Sequence, residues 1–355
     1  MLCPFCAARN SEKSASCRTC GGPLSTASVG PAPPNPAPSR PIPSRPAPVA
    51  PPQSSAPPPA PAWTPLSKLQ PTGGAIIALA FSAAGDIVAT AQGDGAVRLW
   101  NVASGEMLPL LNIKARAELR CVTFAARGVL LACGHADGAV HLWNAATGKK
   151  EQTFTEHAGA INTLTFSHDG ALLAGAGVDG VVTLWDVATG AVRHSFNARG
   201  GNIQAIAIAA DGRTLAAGSD DGVVSLWNLH SGDLISALTR HHLWVAALAF
   251  APNGNALASA GYDRVVRVWA THSDFLLHTM SGHEETVTCV AFGPDNRILA
   301  SGGADGALHL WDAWQGGFVQ TLEHTGKPLC RVVFAPSGQA LAAASADMVR
   351  LWRAV

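Results

Sequence analysis

A tryptophan returns at a nearly constant interval through most of this chain. The positions of Trp100, Trp143, Trp185, Trp227, Trp269, Trp311 and Trp352 differ successively by 43, 42, 42, 42, 42 and 41. An aspartate stands six residues before the tryptophan in six repeats, at Asp94, Asp137, Asp179, Asp221, Asp263 and Asp305. In the seventh, Asp347 stands five before it. A period of this length marks an array of equal units, each of which buries its apolar face only by stacking on a neighbour.

The sixth unit shows the local structure. "VTCVAF", "RILASGG", "ALHLWD" and "FVQTL" are short apolar runs, separated by "GPDN", "ADG" and "AWQGG". Runs of about five residues broken by Gly, Asp, Asn and Pro are strands and turns, not helices. Gly306 in "ADG" supplies the positive φ of a tight turn. The third strands, such as "VVTLW" and "VVSLW", carry apolar residues on both faces, which suits a sheet packed between two others.

Four strands repeated at this interval form the blades of a β-propeller. With "SGHEETV" and "LWDA" in the sixth unit and "LWDV" in the third, the repeats resemble WD40 repeats over residues of about 66–355. Elsewhere the tryptophan is followed by Asn101, Asn144, Asn228, Ala270 or Arg353. The predicted fold is all-β: a seven-bladed WD40 β-propeller over 63–355. The last unit ends after its third strand. An apolar residue follows each tryptophan by eleven positions on the fourth strand, at Leu111, Phe154, Phe196, Leu238, Met280 and Leu322. Counting back from Trp100 in the same frame reaches Leu69, so the segment near 66–69 is expected to supply the missing strand. WD40 propellers close in this way, which also removes two open sheet edges.

The same resemblance assigns a structural role to conspicuous polar residues. A His, a Ser or Thr, an Asp and the Trp form a hydrogen-bonded network within a WD40 blade. The matching sets are His241, Ser259, Asp263 and Trp269, and His283, Ser301, Asp305 and Trp311. Buried indole, hydroxyl and imidazole groups each need a partner. The third blade keeps His157, Asp179 and Trp185 but has Gly175 at the serine position, and Thr72, Ala115 and Arg199 stand at the histidine position of blades one, two and four. No Gly-rich phosphate loop opens a helix, and no catalytic set emerges, so the chain is expected not to be an enzyme.

WD40 propellers usually bind partners through the loops before the first and third strands. Here those loops carry "AELR", "GNIQ", "RHHLW", "HEET" and "TGKP". The candidate partner-binding residues are Trp244, Tyr262, Arg240, His242, Arg120, Gln204, Asp220, Glu284 and Glu285. Trp244 and Tyr262 share blade five with Arg240 and Arg264, and aromatics beside arginine are typical interface anchors. The other reading places Trp244 inside, against a neighbouring blade.

The N-terminal stretch 1–24 holds Cys3, Cys6, Cys17 and Cys20, half of the chain's eight cysteines. Two Cys-x-x-Cys turns offer four thiolates for a tetrahedral ion, and no βαβ setting supports a redox motif. The expectation is a small four-cysteine zinc ribbon over 1–24 holding one structural Zn²⁺, resembling short ribbons at the N-termini of many bacterial proteins. Residues 25–62 are nearly all Pro, Ala and Ser, and read as a disordered Pro-rich linker. Its two "SRP" triplets, 39–41 and 44–46, are alternatively ligands for a proline-reading domain. Cys121, Cys133, Cys289 and Cys330 are expected to be buried apolar residues.

Net charge is zero and charged residues make up 14%. The propeller carries 18 basic against 23 acidic residues from position 72 on, which disfavours nucleic acid as a partner. No apolar run is long enough to span a membrane, and no secretory signal is seen. A cytoplasmic, monomeric, bacterial adaptor that binds protein partners is therefore expected. A ligand-responsive sensor or enzyme with its site in the channel, and a nucleic-acid-binding ribbon, are the alternatives.

Overall fold

The computed structural model describes residues 62–114, 117–198 and 201–355, with backbone alone for 109–114. The four N-terminal cysteines, and the linker up to residue 61, lie outside the described residues, as do Ala115 and Arg199.

Seven four-stranded antiparallel sheets make up the described chain. Blades one to six span 76–114, 119–154, 161–197, 203–238, 245–281 and 287–324. Each adds its strands in sequence order. Blade seven takes three strands from 329–354 and its fourth from Trp63–Leu69, which pairs antiparallel with Met348–Ala354. Leu69 stands opposite Val349, as Phe196 stands opposite Val182 in blade three. The Val355 amide donates to Ala62 O at 2.8 Å.

The strand sequences follow from this stacking. Second strands such as "ALASAG" (Ala256–Gly261) and "ALAAAS" (Ala340–Ser345) are buried throughout. Small side chains fit where neighbouring sheets lie close. Bulkier residues fill the wider spaces: Ala258, Met280, Val290, Phe292 and Trp311 belong to one cluster joining blades five and six. Every first strand carries a bulge at its second residue, as between Val245 and Ala247. The bulge leaves that residue out of the ladder.

The count of eleven positions from the tryptophan holds in blades two to five, where Phe154, Phe196, Leu238 and Met280 face the third strand. It slips in the other two. Ile113, not Leu111, stands opposite Val97, and Glu323, not Leu322, stands opposite Leu308. Bulges in these fourth strands displace the register, because an extra residue must go somewhere once the turns are fixed.

Candidate functional site

In six blades the turn between the second and third strands is tied to the loop before the first by one backbone hydrogen bond. Gly93, Ala136, Val178, Asp220, Tyr262 and Ala304 donate to the carbonyls of Ala75, Glu118, Ala160, Asn202, Trp244 and Thr286. These paired positions repeat around one end of the sheets. Only in blade five are both aromatic. Gly261, just before Tyr262, allows this close approach: a Cβ there would lie 2.0 Å from Trp244 O.

The pair faces outward. Trp244 is 42% exposed and Tyr262 44%, with ring centroids 5.0 Å apart. The interior reading of Trp244 is thus replaced by a surface position, since its carbonyl is held by the turn and its ring rests on Tyr262. Leu243, 52% exposed, extends the apolar patch. Arg240 and His242 are exposed on the same loop. Arg264 completes the turn with φ of 66°, where blades one to four and six have Gly95, Gly138, Gly180, Gly222 and Gly306. A side chain in this left-handed region is disfavoured and tends to mark function.

Of the other candidates, Asp220, Glu284 and Glu285 lie on the same loops and turns of other blades, whereas Arg120 and Gln204, expected on loops, are the bulged second residues of first strands Leu119–Phe124 and Ile203–Ile208. Arg120 is exposed and pairs with Glu118 at 3.4 Å. Gln204 and Asp220 are partly buried, and Glu284 and Glu285 are exposed. None of these carries an aromatic neighbour of the Trp244 kind.

Blade five also holds a buried polar chain. Trp269 Nε1 donates to Ser259 Oγ at 2.8 Å, Ser259 meets His241 Nε2 at 2.7 Å, and His241 Nδ1 lies 3.0 Å from Asp263. Blade six repeats it with Trp311, Ser301, His283 and Asp305 at 2.8, 2.7 and 3.0 Å. Burial lowers the pKa of both histidines, which keeps them neutral. Neutral imidazole fixes the direction: Nδ1–H donates to the carboxylate, and Nε2 accepts from the serine. The order hydroxyl, imidazole, carboxylate is also that of a hydrolytic triad. Here both serines are fully buried and already hold an indole proton, so the chains brace their blades and present no nucleophile.

Arg267, which sequence reasoning missed, joins the blade-five chain. Its Nη1 donates to Asp263 Oδ2 at 2.6 Å and lies 2.8 Å from His241 Nδ1. Burial pushes the Asp263 carboxyl up, but His241 and Arg267 outweigh it and hold it at about 2. Blade three solves its missing serine with Glu156, which accepts from Trp185 Nε1 at 2.9 Å. Blade one uses Thr90, which accepts from Trp100 at 2.9 Å, while Arg98, Gln92 and Asp94 fill the histidine's place. Arg267 and Glu156 carry no sequence signal, because neither type belongs to the motif.

His283, Asp305 and His309 group their donor atoms within 4.8 Å of one another. Both ring nitrogens of His283 are engaged by Asp305 and Ser301, and His309 Nδ1 meets Thr321 at 2.9 Å. An ion would have to displace these bonds, so the grouping reads as part of the brace. Cys121, Cys133 and Cys289 are buried and Cys330 partly so. Burial raises all four thiols, to about 12 for Cys121 and Cys289 and about 11 for Cys330.

Among the described residues no helix is long and apolar enough to cross a membrane. A family model described as "WD domain, G-beta repeat" matches residues 63–101, 232–270 and 275–312. A second, described as "WD repeat-containing protein 75 first beta-propeller", matches 111–217. No curated protein matches the chain. Sheet topology and repeat matches agree: this chain carries WD40 repeats and folds as a seven-bladed β-propeller.

Proposed function

We propose that this chain is a non-enzymatic scaffold that docks a protein partner on the blade-five patch. WD40 propellers generally act as protein-interaction scaffolds. The observation that carries the reading is the outward pair of Trp244 and Tyr262, flanked by Leu243 and by Arg264 in its strained turn. Aromatic side chains bury large area at small entropy loss, and arginine beside them adds directed donors. In this reading the Cys3, Cys6, Cys17 and Cys20 ribbon holds one structural Zn²⁺ and offers a second contact. Two linked contacts gain from effective concentration. The thiols of the propeller stay reduced in a cytoplasmic setting.

The test is quantitative capture from native lysate by wild-type protein, a Trp244→Ala/Tyr262→Ala double variant and a chain of residues 62–355. Proteins held by wild type and by 62–355, but lost from the double variant, support docking at blade five. An unchanged set in the double variant overturns it. Loss only from 62–355 assigns selection to the N-terminal segment instead.

A further inference from the structure

The third residue of each first strand follows the bulge and takes an equivalent place in its blade. In six blades it is small and buried: Ala78, Cys121, Thr163, Ala205, Ala247 and Cys289. In blade seven it is Arg331, which is partly buried. Residues of all seven first strands line a cavity of about 420 Å³, and among the described residues Arg331 is the one charged side chain in its wall. No carboxylate lines the cavity, and Arg331 has no ion pair or side-chain hydrogen bond among the described residues. The nearby thiols of Cys121, Cys289 and Cys330 stay protonated because burial raises them, so they supply no counter-charge.

A partly buried cation is unfavourable unless paired. A guanidinium presents parallel N–H donors matched to a carboxylate. The rest of the wall is uncharged and mixes polar with apolar surface: Phe124, Phe250 and Phe334 contribute to it, as do Thr123, Thr163 and Thr165. A pocket of this size, with phenylalanines, hydroxyls and one fixed charge in its wall, can hold a small ligand that has both an anionic and an apolar part.

We propose that the channel is a binding site for a small carboxylate with an apolar body. The carboxylate pairs with Arg331 and the body lies against the phenylalanines. This site is separate from the blade-five patch and stands or falls independently of it.

Calorimetric titration of the full chain with 3-phenylpropanoate, its neutral amide and inorganic phosphate tests the proposal. One acid molecule is expected to bind per chain, with the amide and phosphate at least roughly tenfold weaker. Arg331→Met is expected to lose roughly tenfold or more in affinity for the acid, and Arg331→Lys to lose less. Far-UV circular dichroism verifies folding. Should the Met variant not fold, Arg331→Gln and the acid–amide comparison on wild type carry the test. No binding of the acid up to roughly 10 mM, equal binding of acid and amide, phosphate binding as tight as the acid, or an unchanged affinity in the Met variant would each overturn it.

Discussion

Arg267 donates to Asp263 at 2.6 Å with both side chains only 9% exposed. Each therefore depends on the other for its charge. Removing one partner of a buried pair leaves an uncompensated charge. Arg267→Met is expected to lower stability by about 3–5 kcal/mol. Ser259→Ala, which strips a partner from both Trp269 and His241, is expected to lose about 1–3 kcal/mol. Urea denaturation of each variant measures both, and a Met variant as stable as wild type would show that the pair contributes nothing.

Acid should destabilise the propeller in two stages. Burial, and then a neighbouring histidine, lowers His135 and His309 to about 4 from the usual 6.5. A depressed histidine pKa means that the unfolded chain takes up protons first. Stability from these groups is full above about pH 6.5 and lost as pH falls towards 4, by roughly 1 kcal/mol per pH unit for each. Asp263, held at about 2, adds a later loss from about pH 4 downward. Melting temperature measured from pH 8 to 3 should fall from about 6.5. His309→Gln, which can keep a bond to Thr321, should flatten the upper part of that fall.

The strain at Arg264 can be separated from its use. Arg264→Gly is expected to raise stability by about 1 kcal/mol, since glycine meets a φ of 66° without penalty. The same change should weaken capture of the blade-five partner. A variant that is more stable and binds equally well would remove Arg264 from the docking surface.

Closure of the ring rests on one strand from the other end of the chain. Leu69 is 1% exposed opposite Val349, so Leu69→Ala should lose about 2–5 kcal/mol. Deleting residues 1–70 should lose more and expose the Met348–Ala354 edge, read as concentration-dependent aggregation in light scattering.

For the N-terminal cysteines the expected outcome is one zinc per chain by mass spectrometry of the metal. Cys3→Ser/Cys17→Ser should abolish it, with the propeller's melting temperature unchanged. Zinc retained in that variant would place the ion elsewhere.

Much of the fold is legible because blade physics is local and repeated. The tryptophan period, the turn aspartates and the serine–histidine sets of blades five and six each reflect burial that recurs once per repeat. Arg267 and Glu156 escape such reading. Glu156 reaches Trp185 across 29 residues, while Arg267 stands only four residues from Asp263 and escapes because its residue type breaks the motif that would have flagged it. The register slips at Leu111 and Leu322 escape it too, since a bulge is absorbed wherever the ladder yields most easily.

The amino-acid order alone determined the number of blades, their strands and the turns, because alternation and positive-φ turns are properties of a few consecutive residues. Three features needed the closed ring. Trp244 turned outward because a backbone bond from Tyr262 holds it. The tryptophan frame already assigned Leu69 to the last blade, but the full extent of its strand, Trp63–Leu69, and the irregularity between Pro65 and Ser67 were set by pairing with the Met348–Ala354 edge. Arg331 lines a cavity with no carboxylate among its described residues only because seven separate strands converge around it, and no stretch of sequence contains that convergence.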